Sequence, residues 1–237
     1  MPVAKPYTRI PIRECGEPLA TIPRDVFALT EPHPYATLGA PYGDASPWML
    51  RLSVIEALKA AQNALQSRKP GWKILLFDAY RPNAVQAFMV EHEMASLARA
   101  EGLDPAKLSE AEREKFLAMA LRIFAVPSDD PATPPPHSTG AVVDCTLIDE
   151  AGHEVDMGSP IDENSGRSLP DHFAAAIDEA GRRAHANRSL LNEIMESAGF
   201  RRNPSEWWHF SQGDQLATWI DRERNPNGVA RFGRACK

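Results

Sequence analysis

The sequence predicts an α+β fold in a single domain, and three observations predict it. Long segments carry apolar residues at helical spacing. Short apolar or alternating runs of strand length stand apart from them, bounded by turn residues. The order of these elements departs from the strict βαβ alternation of a doubly wound sheet, and no repeat or linker divides residues 1–237. A central, mostly antiparallel sheet flanked by helices is therefore expected.

The 21 prolines cluster, and each X-Pro step disfavours helix before it and removes a backbone donor. The first cluster makes residues 1–47 an irregular N-terminal segment, and the second, VPSDDPATPPPH at 126–137, a loop. WMLRLSVIEALKAAQNALQS at 48–67 reads as a helix, with Leu52, Ile55, Leu58 and Leu65 facing the core. In WKILLFDAY, Ile74 to Phe77 form the continuous apolar run of a buried strand, stopped by Arg81-Pro82. Asn83 and Gln86 suggest a capping box for the next helix, which Gly102 closes; Ser109 and Glu112 repeat the signal for another. AVVDCTLID alternates as a strand, and HEVDMG after the Ala151-Gly152 turn is its hairpin partner. Residues 171–186 and 188–198 read as helices stopped by Gly199, and EWWHFS as a short aromatic strand.

Composition excludes several functions. Lys plus Arg is 26 against 32 for Asp plus Glu, a formal charge of -6, and no basic block exists to track phosphates, so nucleic acid is not an expected partner. No apolar run approaches the ~20 residues that cross a bilayer, so no membrane association is expected. The N-terminus lacks the apolar stretch of a secretory signal. Cys15, Cys145 and Cys236 are odd in number and far apart, which suggests no disulfide framework and a cytoplasmic setting. The residues leave open whether copies associate into a homo-oligomer.

The chemistry concentrates in two segments. In HSTGAVVD, His137 follows rigid prolines, Gly140 permits a tight turn, and Asp144 lies in the strand that follows. A metal site wants imidazole and carboxylate on backbone that cannot wander, although this pair alone also suits a turn histidine and a hydrogen-bonded carboxylate. In EWWHF, His209 offers a second imidazole, leaving one position of a four-coordinate metal for water. Glu206 offers a carboxylate that can take a proton from that water. In a regular strand residues 206 and 209 face opposite ways, so a bend between them is required. Plain core packing explains at least one of Trp207 and Trp208.

HSTGAVVD followed much later by EWWH resembles the zinc D-Ala-D-Ala peptidases, whose signatures are approximately SxHxxGxAxD and ExxH. FDAYRP, DMGSPID and the early YAT are similar to the D-alanyl-D-alanine dipeptidase branch, associated with vancomycin resistance and dipeptide salvage. The resemblance runs from about Tyr35 to Phe210. It implies a Hedgehog-like and DD-peptidase-like fold whose sheet carries one Zn2+, with ligands His137, Asp144 and His209, and Glu206 as catalytic base. It implies that Arg81 stabilises the oxyanion, a role suited to a permanently charged donor; the competing role is a salt bridge to Asp78. It further implies that Asp162 holds the ammonium of a small dipeptide substrate with help from Tyr35. The sequence departs from the pattern at Pro135, usually serine, at Val142, usually alanine, and at Leu38-Gly39-Ala40 after YAT. Two rival functions remain: a carboxypeptidase or endopeptidase of the same zinc family, and a non-catalytic zinc-binding module.

Other conspicuous residues take no site role. Cys145 points away from Asp144 by strand alternation and reads as buried and apolar-like. His33, His92, His153, His172 and His185 lack a matching carboxylate motif, and Ser138 lacks a nucleophile elbow.

Overall fold

A computed structural model describes residues 5–235; Cys236 and the first residues of the proline-rich segment lie outside them. The strands are β1 (Leu19–Thr21), β2 (Ala28–Leu29), β3 (Met49–Arg51), β4 (Lys73–Asp78), β5 (Val142–Ile148), β6 (Arg201–Arg202) and β7 (His209–Ser211). The α-helices are α1 (Pro34–Thr37), α2 (Leu52–Arg68), α3 (Asn83–Ala100), α4 (Glu110–Ala120), α5 (Glu179–Ser197) and α6 (Gln215–Ile220). The main sheet has order β2-β4-β5-β7-β6, and β1 pairs with β3 in a second, two-stranded sheet. Among the named strands only the β2–β4 pair is parallel, so the α+β class and its mostly antiparallel sheet are as expected.

The central strand β5 is buried over all but its last residue, which explains its near-continuous apolar run. One side of the sheet packs on α2 and α5 through Ile55, Leu58, Leu65, Leu191 and Ile194. A second cluster joins α3 to α4 through Met89, Val90, Met94 and Phe116. Cys145 is fully buried in the first cluster, as expected of an apolar-like cysteine.

Several local expectations are corrected. Residues 49–51 extend as β3, so α2 starts at Leu52, which is 51% exposed rather than core-facing. The Asn83–Gln86 capping box does not form: Pro82 is the N-cap and the Asn83 amide oxygen accepts from the Ser128 N–H instead. Gln86 turns to Arg81, because a buried guanidinium needs an acceptor more than an exposed helix end does. The Ser109–Glu112 box does form. The hairpin after β5 reduces to one bridge, Ile148 to Glu154. The two helices read over 171–198 are one, α5, capped by Asp178, and residues 171–175 are turns. The aromatic strand begins only at His209, because residues 203–208 are used in a turn.

Candidate active site

Sheet register assembles the centre of the site. On β5, Asp144 stands directly opposite Asp78 of β4 and His209 of β7. A bulge between Leu76 and Asp78 re-aims Asp78 so that this pairing holds, while Cys145 pairs with Leu76 on the core face. The turn ahead of β7 removes the alternation that would separate positions 206 and 209: Glu206 Oε2 lies 3.5 Å from His209 Nδ1. His137 arrives from a short 3-10 turn, Pro136–Thr139, that ends on Gly140 in the left-handed region at φ 68°. Arg51 holds that turn, its backbone N–H donating to Gly140 and its Nε to the Thr139 carbonyl.

The structure brings His137, Asp144 and His209 together, all buried, with one potential ligand atom from each within 4.8 Å of the others. His137 Nδ1 lies 2.7 Å from the Ala79 carbonyl, which can only accept, so Nδ1 carries the proton. Its Nε2 lone pair then faces Asp144 Oδ2 at 3.2 Å. Asp144 Oδ1 is 3.0 Å from His209 Nδ1, yet is buried without a hydrogen bond. Acceptors aimed at one another across a buried space are the arrangement that a cation relieves, and two imidazoles with a carboxylate form a donor set suited to zinc. The residues present therefore fit a metal ion.

Electrostatics divides the carboxyls of the site into two kinds. Burial would raise the Asp144 pKa, but His137 and His209 override it and hold the carboxyl well below its usual range. Burial also opposes ionisation of Asp78, which Arg81 and the imidazoles of His33 and His137 nonetheless keep low. Glu206 is pushed up to about 7, mainly by burial, with His209 opposing. Asp162 also rises to about 7, through burial and the charge of Asp144, against the pull of Arg81.

Arg81 makes the salt bridge to Asp78 that was weighed for it and also lines the cavity. Its Nε and Nη2 donate to Asp78 Oδ2 at 3.0 and 2.8 Å and its Nη1 to Gln86 at 2.9 Å. Nη2 also lies 3.2 Å from the Tyr35 hydroxyl and 3.5 Å from Asp144. Tyr35 donates to Asp162 at 2.7 Å, so Tyr35, Arg81 and Asp162 form one cluster beside the three possible ligands. Asp162 adopts φ 64°, a costly backbone state for a residue other than glycine, and one that concentrates at functional sites. Arg188 of α5 steadies the Asp162 loop by donating to the carbonyls of Met157 and Leu169 and to Ser159. Ser159 also accepts from the Trp207 indole, which ties that loop to the Glu206 turn. Both tryptophans are buried: Trp207 holds this brace and Trp208 lines the cavity.

His33 belongs to the environment of the site, which sequence reasoning missed. Its Nδ1 accepts from the Ala36 N–H, so Nε2 donates to Asp78 at 3.0 Å and braces the carboxylate that carries Arg81. The spacing of Asp78 and Arg81 in FDAYRP was a visible signal; nothing in the sequence links His33 to Asp78, 45 residues away. The other histidines, at 92, 153, 172 and 185, stand outside the cavity of about 130 Å³ that His137, Asp144, His209, Glu206, Arg81 and Asp162 line.

Among the described residues no helix is long and apolar enough to cross a membrane. A family model described as D-ala-D-ala dipeptidase matches residues 28–226. The chain is 48% identical over 238 residues to a D-alanyl-D-alanine dipeptidase of Synechocystis, covering 97% of this chain and 96% of that one. It is 32% identical over 165 residues to a D-alanyl-D-alanine dipeptidase of Enterococcus faecalis, covering 69% of this chain and 72% of that one. A match that contains every residue of the cavity centre and most of the chain around it settles the kinship: this chain belongs to the D-ala-D-ala dipeptidase family.

Proposed function

We propose that this chain is a zinc-dependent dipeptidase that hydrolyses D-alanyl-D-alanine, or a closely related small D,D-dipeptide, to free amino acids. His137, Asp144 and His209 would hold the zinc ion. Bound there, zinc supplies electrophilic polarisation of the scissile carbonyl and acidification of a water molecule. The single observation that carries the reading is Glu206, a buried carboxyl held near pKa 7 and 3.5 Å from a possible ligand without being one of the clustered three. A base poised near neutrality takes the proton of the attacking water and returns it to the leaving amine. Arg81, fixed by Asp78 and Gln86, donates to the oxygen on which negative charge develops. Asp162 and Tyr35 orient the free ammonium: a cation there compensates a carboxyl that burial otherwise keeps from ionising. This favours a free dipeptide over an N-acylated peptide, which has lost that charge and gained bulk. A cytoplasmic setting, where the free dipeptide would be met, completes the reading.

The decisive experiment compares free D-Ala-D-Ala with its N-acetylated form, using zinc-loaded protein. Wild type is expected to cleave the free dipeptide and lose activity to a chelator. Glu206→Gln is expected to keep its zinc and lose about 10²- to 10⁴-fold in kcat. Cleavage of the acylated compound alone would identify a carboxypeptidase instead, and zinc binding with no hydrolysis of either would identify a binding module.

A further inference from the structure

A dipeptide is a zwitterion, and the residues discussed so far engage only its ammonium. The proline-rich loop beside the cavity offers few donors to a carboxylate. Pro134, Pro135 and Pro136 offer neither an N–H nor a hydroxyl. The next two hydroxyls are turned back on the same loop, Ser138 donating to the Pro135 carbonyl at 2.7 Å and Thr139 to that of Pro136 at 2.6 Å. Arg81, held by Asp78, Gln86 and Tyr35, is assigned to the oxygen of the scissile carbonyl and not to the far end of the substrate.

Lys5 differs from these. It is the other Lys or Arg among the described residues lining the cavity, half-buried, with its Nζ donating to the Leu121 carbonyl at 2.7 Å. Among the described residues it has no carboxylate within ion-pair distance, although an ammonium carries three donors. A partly desolvated cation with no carboxylate in contact is costly, and an anion brought into the cavity relieves that cost. The segment that carries it is anchored: Tyr7 is buried, and Gln215 of α6 donates to the Ile10 carbonyl at 2.6 Å. Its place also suits one end of the substrate. Lys5 lines the same cavity as Glu206 and Asp162 and feels the charge of Glu206. A dipeptide spans only about 7 Å, so a ligand with its ammonium at Asp162 and its leaving amine at Glu206 carries its carboxylate beyond Glu206.

We propose that Lys5 is the specificity residue that anchors the C-terminal carboxylate of the substrate, an inference that rests on the dipeptidase reading. The anchor makes the N-terminal segment part of the substrate site and replaces donors that the proline-rich loop lacks.

The test compares D-Ala-D-Ala with its C-terminal amide in zinc-loaded wild type, Lys5→Met and Lys5→Arg. Wild type should prefer the acid over the amide by about tenfold or more in kcat/KM, mainly through KM. Lys5→Met should collapse that ratio toward one, and Lys5→Arg should retain most of it. Calorimetric titration of the intact dipeptide into Glu206→Gln, with and without Lys5→Met, should show the same loss of affinity. A wild type indifferent to amidation, or a Lys5→Met protein that discriminates as wild type does, overturns the proposal alone. If wild type hydrolyses no dipeptide, the dipeptidase reading fails and this inference fails with it. Should Lys5→Met fold poorly by thermal melting, the wild-type ratio and Lys5→Arg still decide.

Discussion

At the scale of the residue, Arg81 combines a structural tie to Asp78 with a place in the proposed chemistry. Asp78 and Gln86 hold its fork, and Nη2, which donates to Asp78, also lies 3.2 Å from the Tyr35 hydroxyl and 3.5 Å from Asp144. Lysine retains the charge but not the planar fork, so it cannot be held by both partners while still facing the cavity. Arg81→Lys is expected to bind zinc normally and to lose about 10²-fold in kcat, with a smaller change in KM. Steady-state kinetics with metal analysis checks this, and wild-type kcat would show that the fork merely braces the fold. The FDAYRP motif made Arg81 and Asp78 legible in the sequence. His33 was not legible, because its contact is made across the fold.

At the scale of the element, the site depends on two departures from regular structure. The bulge in β4 brings Asp78 into line with Asp144, and the left-handed Gly140 turns the chain from the His137 turn into β5. A Cβ at Gly140 would run into Leu19 Cδ2 of the neighbouring β1, in a backbone conformation that L-residues avoid. Gly140→Ala is therefore expected to cost about 2 kcal/mol or more and to weaken metal binding, since the strain falls three residues from His137. Denaturant titration and zinc affinity measure the two effects, and a variant as stable as wild type would show that the turn has an easy alternative. Patterning identified β4 and β5 because both are long and apolar. It misplaced the start of β7, since Trp207 and Trp208 have the composition of a strand but lie in the turn, where Ser168 and Ser159 hold Trp207.

At the scale of the whole molecule, Glu206, buried, and Asp162, half-buried, beside the His137, Asp144 and His209 cluster make stability depend on pH. Glu206 and Asp162 sit near 7 in the folded protein, against about 4 in the unfolded chain. Between those values the folded state holds more protons, so raising the pH from about 4 to 7 removes stability. Thermal melts of the metal-free protein should show a midpoint at least ~2 °C lower at pH 8 than at pH 5.5. Zinc should reverse that slope, because its ligands must release protons to bind it. A metal-free midpoint that rose across this interval would show that neither carboxyl is buried as described.

The α+β class, the two longest strands and the cluster of chemical residues followed from local facts: periodicity, proline punctuation and motifs whose spacing places ligands a few residues apart. Those facts act within a few residues, which is why sequence alone reveals them. The alignment of Asp78, Asp144 and His209 on three strands, the brace of His33 on Asp78, and the return of Lys5 to the cavity are contacts between distant segments. Only the packed sheet decides these, because the free energy that selects them comes from burying the whole core and from satisfying the polar groups trapped beside it.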